Sequence, residues 1–160
     1  MQKITTSIEI AAPPSVVRAK LLEFPLPIAL IQRVRVPSGK ACADLQPGER
    51  VEIEFRVSAS RTTTMTMSPV VRTNGAASFS WVAGIRFVFQ SEHIFRFEPV
   101  AATSGAGEAT RFVHEETFTG LWASVLMGHH VVARLLGQRK PLEDGFVVFN
   151  DRFRALVEGR

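Results

Sequence analysis

Cysteine is all but missing. Cys42 is the only one in 160 residues, so no disulfide can form within the chain, and a cysteine-based zinc or iron–sulfur site is excluded within one copy. That usage fits a reducing compartment. Long apolar runs are missing too: none approaches the ~20 residues of a membrane span, and MQKITTSIEI at the start alternates apolar and polar residues instead of forming a signal core. The expectation is a soluble, cytoplasmic protein with no stable membrane insertion. There is no concentrated basic face either, because the formal charge of +4 is spread from Lys3 to Arg160, mostly one cation at a time and interleaved with acids. Nucleic-acid binding is therefore not expected. No internal repeat, low-complexity tract or linker divides the chain. What remains, 46% apolar and 21% charged, suits a single domain over residues 1–160, working as a monomer or weak homodimer.

The periodicities supply the elements. Ile4, Ile8 and Ile10 share one face of a first strand, and Ala-Ala-Pro-Pro-Ser ends it. Pro14 opens a short helix over about 14–22, and Ile28 to Ile31 suggests one more helical turn. Strand character returns at Val34. In VEIEFRV, Val51, Ile53, Phe55 and Val57 point one way and Glu52, Glu54 and Arg56 the other. The run TTTMTM follows, and Asn74-Gly75 supplies a hairpin turn into a strand whose one face carries Phe79 and Trp81. Two long strands, about 86–98 and 110–119, are joined by the small-residue loop AATSGAGEA. Beyond Gly120 apolar residues recur every three or four positions, ending in Phe146, Phe149, Phe153, Leu156 and Val157, so the tail is an amphipathic helix that Pro141 should break in two or kink. The pattern is α+β, a curved sheet around a C-terminal helix.

The polar group that stands out is in RFVHEETFTG, residues 111–120. Strand alternation puts Phe112, His114, Glu116 and Phe118 on one face and Glu115 on the other, while His93, Phe95 and Phe97 share a face of the preceding strand. Charge selects the register: pairing His93 with His114 would set Arg96 against Arg111, whereas a two-residue shift pairs His93 with Glu116, Phe95 with His114, Phe97 with Phe112 and Glu98 with Arg111. Three readings fit such a face. Aromatic walls with a few polar groups suit a cavity for a largely apolar ligand. His114 or His93 could move a proton, with Glu116 as its partner, in an aldol-type cyclisation or a dehydration. The third reading is a satisfied polar contact under the final helix.

No metal is expected, since the residue types His93, His114 and Glu116 do not by themselves make an open coordination site. His129 and His130 are adjacent on a helix and diverge by about 100°. Met65, Met67, Phe79 and Trp81 could line an apolar pocket or simply be core. No cofactor is implied, because Gly105-Ala-Gly107 lacks the third glycine and following helix of a dinucleotide loop. Cys42 has no activating base or helix end nearby in sequence.

The order of motifs IEIAAPPSVV, SFSWVAG, EHIFRFEP, TRFVHEETFTGL and GFVVFN resembles the polyketide cyclase/dehydrase group of the START-like, or SRPBCC, superfamily. The resemblance implies a helix-grip fold, a curved antiparallel sheet of about six or seven strands around a long C-terminal helix, with two short helices after the first strand. It also implies an internal cavity for a lipid, sterol or polyketide-like molecule, with Trp81, His93, Phe95, Phe97, Phe112, His114, Glu116 and Phe118 on the sheet beside it and Phe146 and Asn150 on the helix; Phe149 is a further candidate there. Members of the superfamily include carriers, receptors and cyclases, so three functions stand: ligand binding, a cyclase or dehydratase, and a protein-interaction module of co-chaperone type. Two departures from the group are FPLPIALIQ after the first helix and the GHHVVARLLGQRKP insertion before the last.

Overall fold

The computed structural model describes residues 1–24, 26, 31–56, 64–102, 107–127 and 139–160. In chain order these form β1 (Gln2–Ile10), α1 (Pro14–Leu21), β2 (Ile31–Arg35), a short 3-10 turn (Cys42–Asp44), β3 (Glu52–Arg56), β4 (Thr64–Met67), β5 (Val70–Asn74), β6 (Ser78–Ile85), β7 (Phe89–Ala101), β8 (Glu108–Thr119), α2 (Ala123–Met127) and α3 (Arg139–Glu158). Five strands pair antiparallel in the order β1-β8-β7-β6-β5, and three in the order β2-β3-β4. The two sheets are continuous at one corner. Arg50 bridges Val70, the Val51 N–H donates to the Pro69 carbonyl at 3.0 Å, and the Val71 N–H donates to the Glu49 carbonyl at 2.9 Å. β4 and β5 are thus one bent strand interrupted at Ser68-Pro69, where a residue with no N–H costs the ladder nothing.

The inward faces hold the core. Ile10, Val17, Leu21, Leu45, Val51, Ile53, Val71, Phe79, Phe97, Phe112 and Phe153 are fully buried in one cluster, while Ile4, Phe118, Ala123, Met127 and Phe146 form a second. Within α1, Val17 and Leu21 are one helical turn apart and face inward, and Pro14 opens the helix where its missing N–H is not needed. Asn74 does more than turn a hairpin: its Oδ1 accepts from the Arg18 guanidinium, and its Nδ2 is shared among the carbonyls of Cys42, Ala43 and Leu45 at 2.9–3.2 Å. One side chain thereby locks α1, the 3-10 turn and the β5–β6 hairpin together.

Three expectations need correction. Residues 86–88 are a turn, so β7 begins at Phe89 and β6 runs on to Ile85. Strand β2 starts at Ile31, three residues before Val34. Of the break and the kink expected at Pro141, the kink is absent: Pro141 lies in the first turn of α3, where backbone N–H groups have no intrahelical acceptor, so it opens a helix separate from α2. Of the helical turn expected over Ile28 to Ile31, Ile31 belongs to β2 and 28–30 lie outside the described residues, as do residues 57–63, the loop tip at 103–106, and His129 and His130.

Two glycines make the β6–β7 turn possible. Gly84 (φ +100°) and Gly120 (φ +99°) sit so tightly that an added Cβ would lie within 2.6 Å of the Val88 carbonyl oxygen at Gly120, and closer still to the Phe89 carbonyl at Gly84. Gly120→Ala should therefore cost about 2 kcal/mol, from left-handed strain plus backbone contact. Thermal unfolding checks this; an unchanged melting temperature would mean that the turn relaxes freely.

Candidate functional site

The register is the one that charge selects. His93 faces Glu116, Phe95 faces His114, Phe97 faces Phe112 and Glu98 faces Arg111, and beyond them Trp81 faces His93 and Thr6 faces His114. Four strands therefore contribute to one inner face, largely aromatic, over which α3 lays Phe146, Phe149, Asn150 and Phe153 at helical spacing. His114 stacks on Phe146 with ring centres 3.9 Å apart and 9° between planes. Phe112 meets Phe153 at 4.9 Å, so that end of the space between helix and sheet is filled by rings.

The hydrogen bonds within this group have a direction. Asn150 Nδ2 donates to Thr6 Oγ1 at 2.9 Å, which turns Asn150 Oδ1 toward His114 Nδ1, 3.1 Å away. An amide oxygen only accepts, so the proton of His114 sits on Nδ1 and its Nε2 carries a lone pair. His93 Nε2 is in direct hydrogen-bond contact with that Nε2 and must be the donor. Thr6 Oγ1 completes the chain by donating to the His114 carbonyl at 3.4 Å. The relay runs His93 to His114 to Asn150 to Thr6; it requires a neutral His114 and is satisfied by a neutral His93. Burial drives them there: it pushes His93 down to about 4 and His114 well below the usual histidine value, His114 also being disfavoured as a cation by His93, while the bond to Asn150 works in the opposite sense.

Glu116 lies opposite His93 and only partly buried; burial raises its carboxyl to about 7, against a hydrogen bond from Ser91. Glu115, on the other face, behaves oppositely. Burial would raise it, but Lys3 at 2.6 Å and Arg96 at 3.0 Å hold it below the ordinary value, with Thr5 as a further donor at 3.3 Å. Two adjacent glutamates thus have opposite electrostatics because the pleat sends one to cations and the other to aromatic rings.

No family model matches the chain, and no curated protein matches it. Solved structures do. The di-domain ARO/CYC StfQ from the steffimycin biosynthetic pathway superposes with a TM-score of 0.64 at 12% identity, over 99% of this chain and 52% of StfQ. The di-domain ARO/CYC BexL from the BE-7585A biosynthetic pathway gives 0.62 at 13% identity, over 99% of this chain and 50% of BexL. TTHA0849 from Thermus thermophilus gives 0.58 at 17% identity, over 96% and 98% of the two chains. The chain has the helix-grip fold of these structures. It spans about half of StfQ and of BexL.

On that fold the candidate residues do not all come together. Trp81, His93, Phe95, His114, Phe146 and Phe149 form one ring cluster, in which Trp81 meets His93 edge-on and Phe79 and Phe24 flank Trp81. Phe97 and Phe112 continue it toward Phe153, and Phe118 stacks on Phe89 at the other end. Met67 is half-buried against the main core. Met65 does not join: two pairs farther along β4, opposite Phe55, it is 54% exposed. The expected cross-strand pairing of His93 with Glu116 is present, and the oriented partners of His114 are His93 and Asn150. Asn150 carries the signal for this, a polar residue on an otherwise apolar helical stripe, but strand periodicity says nothing of a reach between layers. Among the described residues no group of three or more His, Cys, Asp and Glu could hold a metal ion. Cys42 is buried, and burial raises its thiol.

Proposed function

We propose that the chain binds a mostly apolar or aromatic small molecule carrying a hydroxyl or carbonyl group, held over Trp81 and His93 beside α3. One observation carries this reading. On an aromatic inner face, His93 and Glu116 are opposite each other and only partly buried, while His114 and Asn150 behind them are sealed. Convergent polar groups on an apolar wall are what fixes the orientation of such a ligand. His93 and Glu116 keep their partial exposure away from the Phe112–Phe153 packing, and that is where this reading puts the ligand. The polyketide cyclases among the structures of this fold support a ligand of that character.

The test uses 2-naphthol, an aromatic ring system with one hydroxyl, titrated against Trp fluorescence. Saturable 1:1 quenching is expected, weakened about tenfold by Glu116→Ala, whereas naphthalene should bind more weakly and ignore that change; one lost ligand hydrogen bond to a group of this kind is worth about that factor. Quenching that never saturates, or that is equal for both probes, would overturn the reading.

A second reading rests on Glu116 alone. A carboxyl raised to about 7 both gives and takes protons near neutrality, which suits aldol-type cyclisation or dehydration of a bound polyketide. Turnover that falls by ~10² or more in Glu116→Gln, with 2-naphthol still bound, would favour the enzyme.

A further inference from the structure

The open end of the β7–β8 hairpin, where β7 begins and β8 finishes, presents an apolar surface that the ligand site does not use. Ile85 is 69% exposed, Phe87 71%, Leu121 83% and Trp122 54%, with Val88 beside them. The two segments are stitched together, since the Leu121 N–H donates to the Phe87 carbonyl at 2.9 Å and the Trp122 N–H to the Val88 carbonyl at 3.0 Å. Phe87 has φ 69°, a conformation that costs free energy for a bulky side chain, and it displays its ring outward with the Arg86 guanidinium 4.8 Å from the ring centre. A groove of about 690 Å³ runs between Arg86, Phe87, Gln90, Thr119, Gly120 and Leu121.

Charge names the occupant. Residues 84–91, GIRFVFQS, contain one cation and no acid, and residues 119–127, TGLWASVLM, carry no charge at all. Aromatic and aliphatic side chains exposed beside Arg86, with no anion in either segment, complement an anionic lipid surface: rings settle at headgroup depth and arginine pairs with phosphate. A second copy of the chain fits less well, because five side chains fall far short of the ~20–30 residues that a stable protein interface takes from each partner.

We infer that this tip, Ile85 to Val88 with Leu121 and Trp122, docks the protein peripherally on anionic membranes. His93 and Glu116 lie three pairs along the hairpin from Gln90 and Thr119, about 10 Å at ~3.3 Å per residue, so docking would set the polar end of the inner face close to the lipid. The inference stands whether or not the inner face binds a ligand.

Flotation with phosphatidylcholine vesicles, with and without about one third phosphatidylglycerol, tests it. The protein should float with the anionic vesicles, less so as salt rises, and its emission should shift to the blue, a signal that comes from exposed Trp122 because Trp81 is already buried. Phe87→Gly, which relieves the φ strain, combined with Trp122→Ala should reduce vesicle binding at least tenfold while the circular dichroism stays native, and Arg86→Glu should weaken it alone. Failure of the folded protein to float, or equal flotation of the double variant, overturns the inference. So does a dimer in light scattering that the double variant abolishes, since a second copy would then cover the tip.

Discussion

His114→Ala should lower stability by about 4 kcal/mol. The ring is buried against Phe146, Phe95, Phe149 and His93, and removing a buried aromatic-sized side chain costs ~3–5 kcal/mol in transfer and cavity terms. It also strands the acceptor on Asn150 and the donor on His93. His114→Phe separates the two contributions, since it refills the volume and keeps the stacking but still leaves those polar atoms alone, for a cost of about 1–3 kcal/mol. Adding Asn150→Leu to His114→Phe should return part of that cost, because neither partner of the lost bond then remains buried and unpaired. Urea unfolding of the parent, the two single variants and the double variant closes the cycle. Additive costs in the double variant would mean that His114 and Asn150 do not act as a bonded pair.

That relay marks the boundary of what the chain's pattern conveys. Within the sheet, alternation and charge were enough: Glu98 opposite Arg111 and His93 opposite Glu116 follow from avoiding like charges, and the pleat alone removes Glu115 from the site. Registers of two paired strands depend on nearest neighbours, which sequence spacing encodes directly. Layer-to-layer contacts do not have that property. Asn150 meets His114 because α3 lies at a particular depth and rotation over β1 and β8, set by Phe146, Phe149 and Phe153 filling the space between. The turn at Arg86-Phe87-Val88 was hidden for a different reason: apolar residues at strand spacing read as strand, and only the hydrogen bonds to Leu121 and Trp122 show the chain held in a turn with its apolar side chains outside.

Glu116→Gln should stabilise the protein near pH 8 and leave it nearly unchanged near pH 5. In the folded chain the carboxyl is raised from 4.5 to about 7, so the fold favours the neutral acid. Its contribution to stability is complete below the unfolded value and is lost as pH rises through about 7, because the unfolded chain gives up this proton first. Every tenfold change in acid strength between the two states is worth about 1.4 kcal/mol, which puts the full loss at about 3 kcal/mol by pH 8. Glutamine keeps an acceptor for Ser91 and carries no charge at any pH, so the variant avoids that loss. The histidines run the other way: with His93 lowered to about 4 and His114 lowered too, their contribution is present above about 6.5 and is lost as pH falls toward 4. In the parent chain the two trends oppose each other between about 4.5 and 6.5 and flatten the profile. Without Glu116 the histidine slope should stand alone, rising from about pH 4 to a plateau near 6.5 that exceeds the parent at every higher pH. Urea unfolding at about pH 5 and about pH 8 reads the difference directly. A Gln variant less stable than the parent at the higher pH would mean that the carboxylate is held by a partner strong enough to overcome its burial, and the half-buried acid beside His93 could no longer serve as a neutral-pH proton donor.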